Sequence, residues 1–108
     1  EAKAAIGFYG STPVYAFQFD DLGYEGKRLE LAAKLRAGDR DGMIKLVSDE
    51  MLNQFGLCTR WDDMADQLIA RYKGVGSRVV MYFAMQSIAA NPSNRDKWAE
   101  IARAVRAA

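Results

Sequence analysis

The sequence contains no histidine, one cysteine and two prolines among its 108 residues. Without histidine, the chain cannot build a Ser-His-Asp triad, a Cys-His pair or a zinc site with histidine ligands. A single cysteine excludes an internal disulfide, which favours a reducing compartment, so we expect a cytoplasmic protein. Cys58 follows apolar residues and is expected to be buried as a small apolar side chain. Any catalysis must therefore use carboxylates, tyrosine, lysine, arginine or a cofactor.

Charge and hydropathy exclude two classes of partner. Fifteen basic and fourteen acidic residues are scattered along the chain without a basic stripe, so we expect no nucleic-acid binding. No apolar run approaches the ~20 residues of a membrane span, and the first residues lack a signal-peptide pattern, so we expect no membrane partner. Half of the residues are apolar and 27% are charged, which is typical of a folded domain rather than of disorder.

Hydrophobic periodicity predicts a mostly helical chain. Helices are predicted over residues 2–9, 13–20, 25–37, 43–55, 61–72 and 94–107. Residues 10–12 should break the first helix, Asp39 should cap the fourth, and Thr59 and Ser93 should open capping boxes. The methionine-containing stripe over 43–55, with a break near residue 48, predicts a core face rather than a cofactor site.

Two apolar runs predict strands, at residues 55–58 and 78–84. The second is stronger, because Val79 to Phe83 run without polar alternation, as in a strand that is buried on both faces. Residues 85–96 are predicted to form a loop. From residue 55 onward the order is strand, helix, strand, helix, which predicts two parallel strands with a right-handed crossover. We therefore divide the chain into a helical segment, 1–54, and a β-α-β-α unit, 55–108.

Two strands are too few for this type of sheet. A two-stranded parallel sheet with open edges is not a stable domain, and parallel strands normally lie in sheets that are covered on both faces. The sequence also begins without an initiator methionine. We therefore expect the chain to be the last part of a larger α/β protein.

Three segments resemble one enzyme family. "IGFYGSTPVY", residues 6–15, resembles "AFYGSTPAY" of the luciferase-like oxidoreductases that use flavin mononucleotide (FMN) or the deazaflavin coenzyme F420. Residues 31–74 resemble that family's helical segment ending in "DEMLDTFAVVGTPDEVAARIRARYGG", and "SRVVMYF", residues 77–83, resembles its final strand. The resemblance covers roughly residues 4–101, is most specific in the first segment and looks closest to the actinobacterial F420-dependent branch. Where the family has Gly-Thr-Pro, this chain has Thr59-Arg60-Trp61.

The resemblance implies a fold and a reaction. Luciferase-like oxidoreductases and monooxygenases are (β/α)8 TIM barrels, which usually need about 250 residues, so this chain would be a C-terminal fragment holding the last strand-helix units. The intact protein would transfer hydride between reduced F420 or FMN and an organic substrate. The main cofactor-binding strands would lie upstream, so the fragment alone is expected to be inactive and to bind no cofactor.

Eight residues are candidates for cofactor or substrate binding. Thr59, Arg60, Trp61, Gln86 and Ser87 follow the predicted strands, and barrel active sites lie at the C-terminal ends of the strands. Tyr9, Ser11 and Thr12 are candidates because the resemblance implies that their segment can approach the mouth of the active site. Arg60 would bind a phosphate or carboxylate, and Trp61 would stack on a ring. The structural alternatives are a solvated arginine, a core tryptophan and ordinary loop residues. We assign no catalytic residue and no metal ligand.

A second function from a different class stays open. The chain could be a free-standing helical module that associates with itself and has no catalytic activity. In both cases we expect a homodimer, formed through an exposed strand at 78–84 and the apolar faces of helices. The two hypotheses differ in whether the natural protein carries further strand-helix units.

Overall fold

A computed structural model describes residues 1–108, which form two compact units, residues 1–58 and 59–108. Its helices are α1 (Ala2–Ser11), α2 (Ala16–Asp20), α3 (Glu25–Arg36), α4 (Arg40–Leu46), α5 (Asp49–Phe55), α6 (Met64–Tyr72), α7 (Ala84–Ala90) and α8 (Asn94–Ala107). Short 3-10 turns precede α2 and α6, at Pro13–Tyr15 and Trp61–Asp63. The prediction of a mostly helical chain is confirmed. None of these helices is long and apolar enough to cross a membrane.

The core of the first unit is built where helices α1 to α5 meet. Its buried members are Phe19, Leu31, Met43, Val47 and Met51. The last three recur every four residues, so the methionine-containing stripe is a core face, as predicted. Burying each such side chain stabilises the fold by about 1.5–3 kcal/mol.

Gly10 lets α1 approach this core closely. A Cβ atom built on Gly10 would lie 2.5 Å from Cζ of Phe19 and 2.8 Å from Cδ1 of Leu31. The predicted helix break at residues 10–12 is wrong for Gly10, because α1 continues through Ser11. The glycine is needed here for packing, and the helix ends only before Pro13.

Two predicted or implied helix starts carry side-chain caps, and two predicted capping boxes do not form. The Asp39 carboxylate accepts a hydrogen bond from the Gly42 backbone N–H at 2.8 Å, which confirms the predicted cap of α4. Ser48 caps α5 in the same way. Thr59 and Ser93 make no cap bond at the helix starts that follow them. The 3-10 turn begins after Arg60 instead, and the Ser93 hydroxyl donates to Oδ1 of Asn91 at 2.8 Å.

The two predicted strands are wrong, since the structure contains no strand. Helix α5 runs through Phe55, residues 56–60 are irregular, and residues 78–81 are irregular up to the turn before α7. The predicted loop 85–96 is also wrong in part, because it contains most of α7.

The reason lies in the partners that a strand requires. The tendency of a residue to occur in strands reflects how well its side chain packs on a pleated, half-buried surface. It is not an intrinsic preference of the backbone. No segment pairs with residues 77–81, whose backbone N–H groups make no hydrogen bond to another backbone group. Val80 and Tyr82 are 75% and 72% exposed, so the apolar run has no surface to cover it.

The second unit is held together by α6, α7 and α8. Helix α8 packs against both of the others, with Leu68 of α6 and Ile101 of α8 buried. The rings of Trp61 and Trp98 meet edge to face, with centroids 5.1 Å apart and planes at 82°. Such aromatic pairs are worth about 0.5–1.5 kcal/mol beyond the area they bury.

Candidate functional site

The candidate residues lie in three places. Tyr9, Ser11 and Thr12 are at the end of α1 in the first unit. Thr59, Arg60 and Trp61 open the second unit, and Gln86 and Ser87 lie on α7 of that unit. The groove beside Arg60 includes neither Gln86 nor Ser87. Within the second unit, the structure therefore brings together Arg60 and Trp61 but does not add the α7 pair to them.

The groove beside Arg60 is open and carries charges of both signs. Its lining residues are Arg60, Trp61, Asp62, Ala65, Lys97, Glu100, Ile101 and Ala104. The Arg60 side chain is 82% exposed, and its Nη2 lies 3.9 Å from Oδ2 of Asp62. An ion pair this long and exposed contributes little, so the guanidinium is available to bind an anion.

Trp61 is engaged by its own chain. Nζ of Lys97 lies 5.2 Å from the centroid of the Trp61 ring, a cation–π distance, while the Trp98 ring meets it edge to face. Since the ring is half-buried between these neighbours, its geometry favours the structural alternative of a packed tryptophan. A planar ligand could stack on Trp61 only by displacing the Lys97 ammonium.

Lys97 and Trp98 were not among the sequence-based candidates. Both come from α8, some 36 residues after Trp61, and only the packing of α6 against α8 brings them near it. The buried indole N–H of Trp98 has no hydrogen-bond acceptor. A buried donor without a partner costs about 1–3 kcal/mol, so an acceptor that reached this nitrogen would bind favourably.

Ser87 has a structural task. Nδ2 of Asn94 donates to Oγ of Ser87 at 3.0 Å and to its backbone carbonyl at 3.2 Å, which fastens α7 to the first turn of α8. Gln86 is exposed on the same helix. Neither residue lines the groove beside Arg60.

The hydroxyl groups at the end of α1 are also used internally. Ser11 and Thr12 both donate to the backbone carbonyl of Phe8, at 2.6 and 3.0 Å, and so satisfy an acceptor that the ending helix leaves free. The Tyr9 ring packs edge to face on Tyr15 and is 43% exposed. Of these three candidates, Tyr9 presents the most surface to solvent.

The exposed face around Tyr9 is strongly apolar. Phe8, Val14 and Phe17 are 52%, 77% and 59% exposed. Phe8 and Val14 lie in the segment 6–15 that carries the family resemblance, and Phe17 follows it. Large exposed apolar patches mark sites of protein or ligand contact more often than ordinary surface.

No metal centre or perturbed carboxyl group lies in these places. No three His, Cys, Asp or Glu side chains meet as a metal site would require. The pKa of Asp39 is lowered by the hydrogen bond from Lys34, and the pKa of Asp49 by the hydrogen bond from Lys3. Both carboxyls belong to the first unit and act in helix capping and ion pairing, not in a groove.

One further prediction fails here. Cys58 is exposed as a free thiol, so the prediction of a buried cysteine is wrong. Its position at the end of the first unit, outside any helix, explains the difference, because no helix face is available to bury it.

Comparison with known proteins gives distant relatives. An uncharacterized protein of Mycobacterium bovis and two uncharacterized proteins of Mycobacterium tuberculosis are each 35% identical to this chain over 85 residues. Those residues make up 79% of this chain and 25% of each relative. Neither a protein-family model nor a solved structure matches the chain. The chain is thus similar to about a quarter of a longer mycobacterial protein.

Proposed function

We propose that this chain is the C-terminal portion of a luciferase-like oxidoreductase that uses F420 or FMN. The observation that carries the proposal is the resemblance over residues 4–101, which is most specific in "FYGSTP", residues 8–13. In the intact enzyme the cofactor would accept or donate a hydride, and the protein would bind and orient it and the organic substrate.

The length of the relatives supports this proposal. Since 85 residues make up 25% of each relative, those proteins are about 340 residues long. Barrels of the (β/α)8 type run from about 200 to more than 400 residues, so a relative of this length has room for a whole barrel. The similarity to mycobacterial proteins also agrees with the actinobacterial branch of the family.

Residues 77–81 supply a physical argument in the same direction. Val79, Val80 and Met81 are apolar, yet no other segment of this chain pairs with residues 77–81, and their backbone N–H groups make no backbone hydrogen bond. In a barrel such a segment would be the last strand, paired on both sides by strands that this chain does not contain. A lone segment with these properties is what the removal of its neighbours would leave.

Among the candidates, Arg60 is the residue best placed to bind the cofactor or substrate. It is exposed and only weakly held by Asp62, and both F420 and FMN carry phosphate, which arginine binds in a bidentate manner. Ser11, Thr12 and Ser87 satisfy groups of their own chain, so we assign them to structure. Because the main cofactor-binding strands of such a barrel would lie upstream of these residues, we propose that the chain alone has no activity.

Two further proposals concern the surroundings of the protein. The exposed free thiol of Cys58 is compatible with a reducing compartment, and we propose a cytoplasmic location.

We also propose that the isolated chain dimerises through its exposed apolar side chains around Tyr9 and along 78–84. Light scattering at micromolar concentration tests the dimer, and a monomer there would contradict it.

The coenzyme is the first experimental question. The natural protein that contains these residues would be purified and titrated with FMN and with F420, following the fluorescence of each. We expect saturable binding of one of them and turnover of its reduced form with an organic acceptor, and no turnover by the 108-residue chain. Binding of neither coenzyme to the natural protein would refute the proposal.

A matched pair of variants assigns the role of Arg60. Arg60→Gln should weaken binding of the phosphate-bearing coenzyme about tenfold, the value of one charge-assisted contact. Arg95→Gln removes an arginine that is also exposed but lies outside the groove, and it should leave binding unchanged. Equal effects of the two substitutions would show that Arg60 acts only through the net charge.

The alternative is a free-standing helical module that associates without catalysis. Its support is that each unit has its own packed helices and that large apolar side chains are exposed. The two hypotheses differ in the natural protein, because the module would show a stable dimer, no coenzyme binding and the mass of the short chain.

A further inference from the structure

A second groove of the second unit has an apolar floor and a basic rim. It measures about 700 Å³ and lies between α6, α8 and residues 73–81. Leu68 and Ile69 of α6, Val105 of α8 and Val79 form its floor. It is distinct from the groove beside Arg60, with which it shares no lining residue. A groove of this volume is in the range of small-molecule sites, about 300–1,000 Å³.

The rim carries an excess of positive charge. Lys73, Arg78 and Arg106 line the groove, and no Asp or Glu side chain does. Ala108 also lines it, so in the 108-residue chain one α-carboxylate stands against these three cations. All three cations are exposed and none of them forms an ion pair. In a chain with nearly equal numbers of acids and bases, three unpaired cations around one groove are a local excess of charge.

The topology explains this clustering. The groove is lined by the last turns of α6 and of α8, and cations are favourable at the C-terminal ends of helices because of the helix dipole. The dipole explains the positions of Lys73, which directly follows α6, and of Arg106, which lies in the last turn of α8. It does not account for Arg78, which lies in the irregular segment 78–81 and adds a third cation to the same rim.

We propose that this groove binds a single-chain anionic amphiphile, a molecule with a hydrocarbon chain and a carboxylate head. The hydrocarbon chain would lie on the floor, where removing apolar surface from water contributes about 0.8 kcal/mol per CH₂ group. The carboxylate would meet the three unpaired cations of the rim, which supply the charge complementarity. The proposal concerns the 108-residue chain and is separate from the oxidoreductase hypothesis. In this chain residues 78–81 are irregular and Arg78 and Val79 line the groove, whereas a barrel would hold them in its last strand.

The test measures binding of dodecanoate to the 108-residue chain by equilibrium dialysis, below the concentration at which dodecanoate forms micelles. Dodecanol provides the same hydrocarbon chain without charge, and inorganic phosphate provides an anion without the hydrocarbon chain. We expect dodecanoate to bind at least tenfold more tightly than either, and to bind more weakly as salt is added, because exposed charges are screened.

Matched variants locate the site. Arg78→Gln with Arg106→Gln should weaken dodecanoate binding about tenfold, whereas Arg95→Gln with Arg103→Gln, which removes the same charge outside the groove, should not. Ala102 is exposed and lines the groove, so Ala102→Phe should fill the floor and abolish binding without disturbing the buried core. Circular dichroism confirms that each variant is folded.

Any of four results would overturn the proposal. If dodecanol bound as tightly as dodecanoate, the three cations would not contribute to binding. If phosphate bound as tightly as dodecanoate, the apolar floor would not contribute to binding. Equal weakening by the two pairs of arginine substitutions would show that only net charge matters. Binding to anionic vesicles without binding to dissolved dodecanoate would assign the groove to a membrane surface instead.

Discussion

Replacing Gly10 by alanine should destabilise the protein, although the same change in an exposed helix is stabilising. Alanine gains about 0.5–1 kcal/mol over glycine in a helix interior. At Gly10, however, the new methyl group would lie 2.5 Å from Phe19 and 2.8 Å from Leu31. Those side chains are 1% and 0% exposed and cannot turn toward solvent, so the helix α1 must move away from the core.

Overpacking of this kind costs about 1–3 kcal/mol, which exceeds the gain in helix propensity. We expect Gly10→Ala to lower the free energy of unfolding by about 1–2 kcal/mol. Gly26→Ala in α3 is the matched control, because a Cβ there would meet nothing within 4 Å, and it should raise that free energy by about 0.5 kcal/mol.

Urea unfolding followed by far-UV circular dichroism measures both variants. With a slope of about 1 kcal/mol per M for a protein of this size, the midpoint should fall by about 1 M for Gly10→Ala and rise slightly for Gly26→Ala. If Gly10→Ala were as stable as the parent chain, the close approach of α1 to Phe19 and Leu31 would be incorrect.

Three other predictions follow from the first unit. Ser48→Ala removes the hydrogen bond to the Met51 N–H at the start of α5 and should cost about 1 kcal/mol in urea unfolding, whereas Ser48→Asp should retain most of the stability. The lowered pKa values of Asp39 and Asp49 mean that the stability these carboxylates contribute is full above their ordinary pKa of 3.8 and is lost as the pH falls through the lower folded values. Replacing both by asparagine should therefore flatten the fall in stability below about pH 4, and an unchanged profile would contradict the ion pairs. Cys58 should react with dithionitrobenzoate in the native protein as fast as a free thiol, and protection until unfolding would show that it is buried.

The helices were predictable because their signals are local. The core stripe through Met43, Val47 and Met51 can be recognised from its four-residue spacing, and Asp39 lies at the right position to cap α4. The start and end of α3 follow from the polar residues and glycines around it. Such features depend on neighbours a few residues away, and the sequence contains those neighbours.

The strands were not predictable for the opposite reason. Residues 78–84 have the composition of a buried strand, but a strand forms only with a partner whose backbone completes its hydrogen bonds. This chain offers none, so residues 78–81 stay irregular and residue 84 begins α7.

The candidate site shows the same contrast. Arg60 and Trp61 could be selected from their place before α6, and the structure does put them together in one groove. Lys97 and Trp98 could not, because they reach Trp61 only through the packing of α8 against α6. In the second groove, Lys73 and Arg106 are likewise brought together by the packing of α6 against α8. The nearly balanced charge of the whole chain gives no sign of this local excess of cations.

The central claim is that these residues belong to a larger barrel enzyme. Its most direct test is the intact mass of the natural protein, isolated from its source with an antibody against this chain. The account predicts a mass about three times 12.0 kDa, in line with relatives about 340 residues long. A mass of 12.0 kDa would contradict it and would make the short helical chain the functional unit.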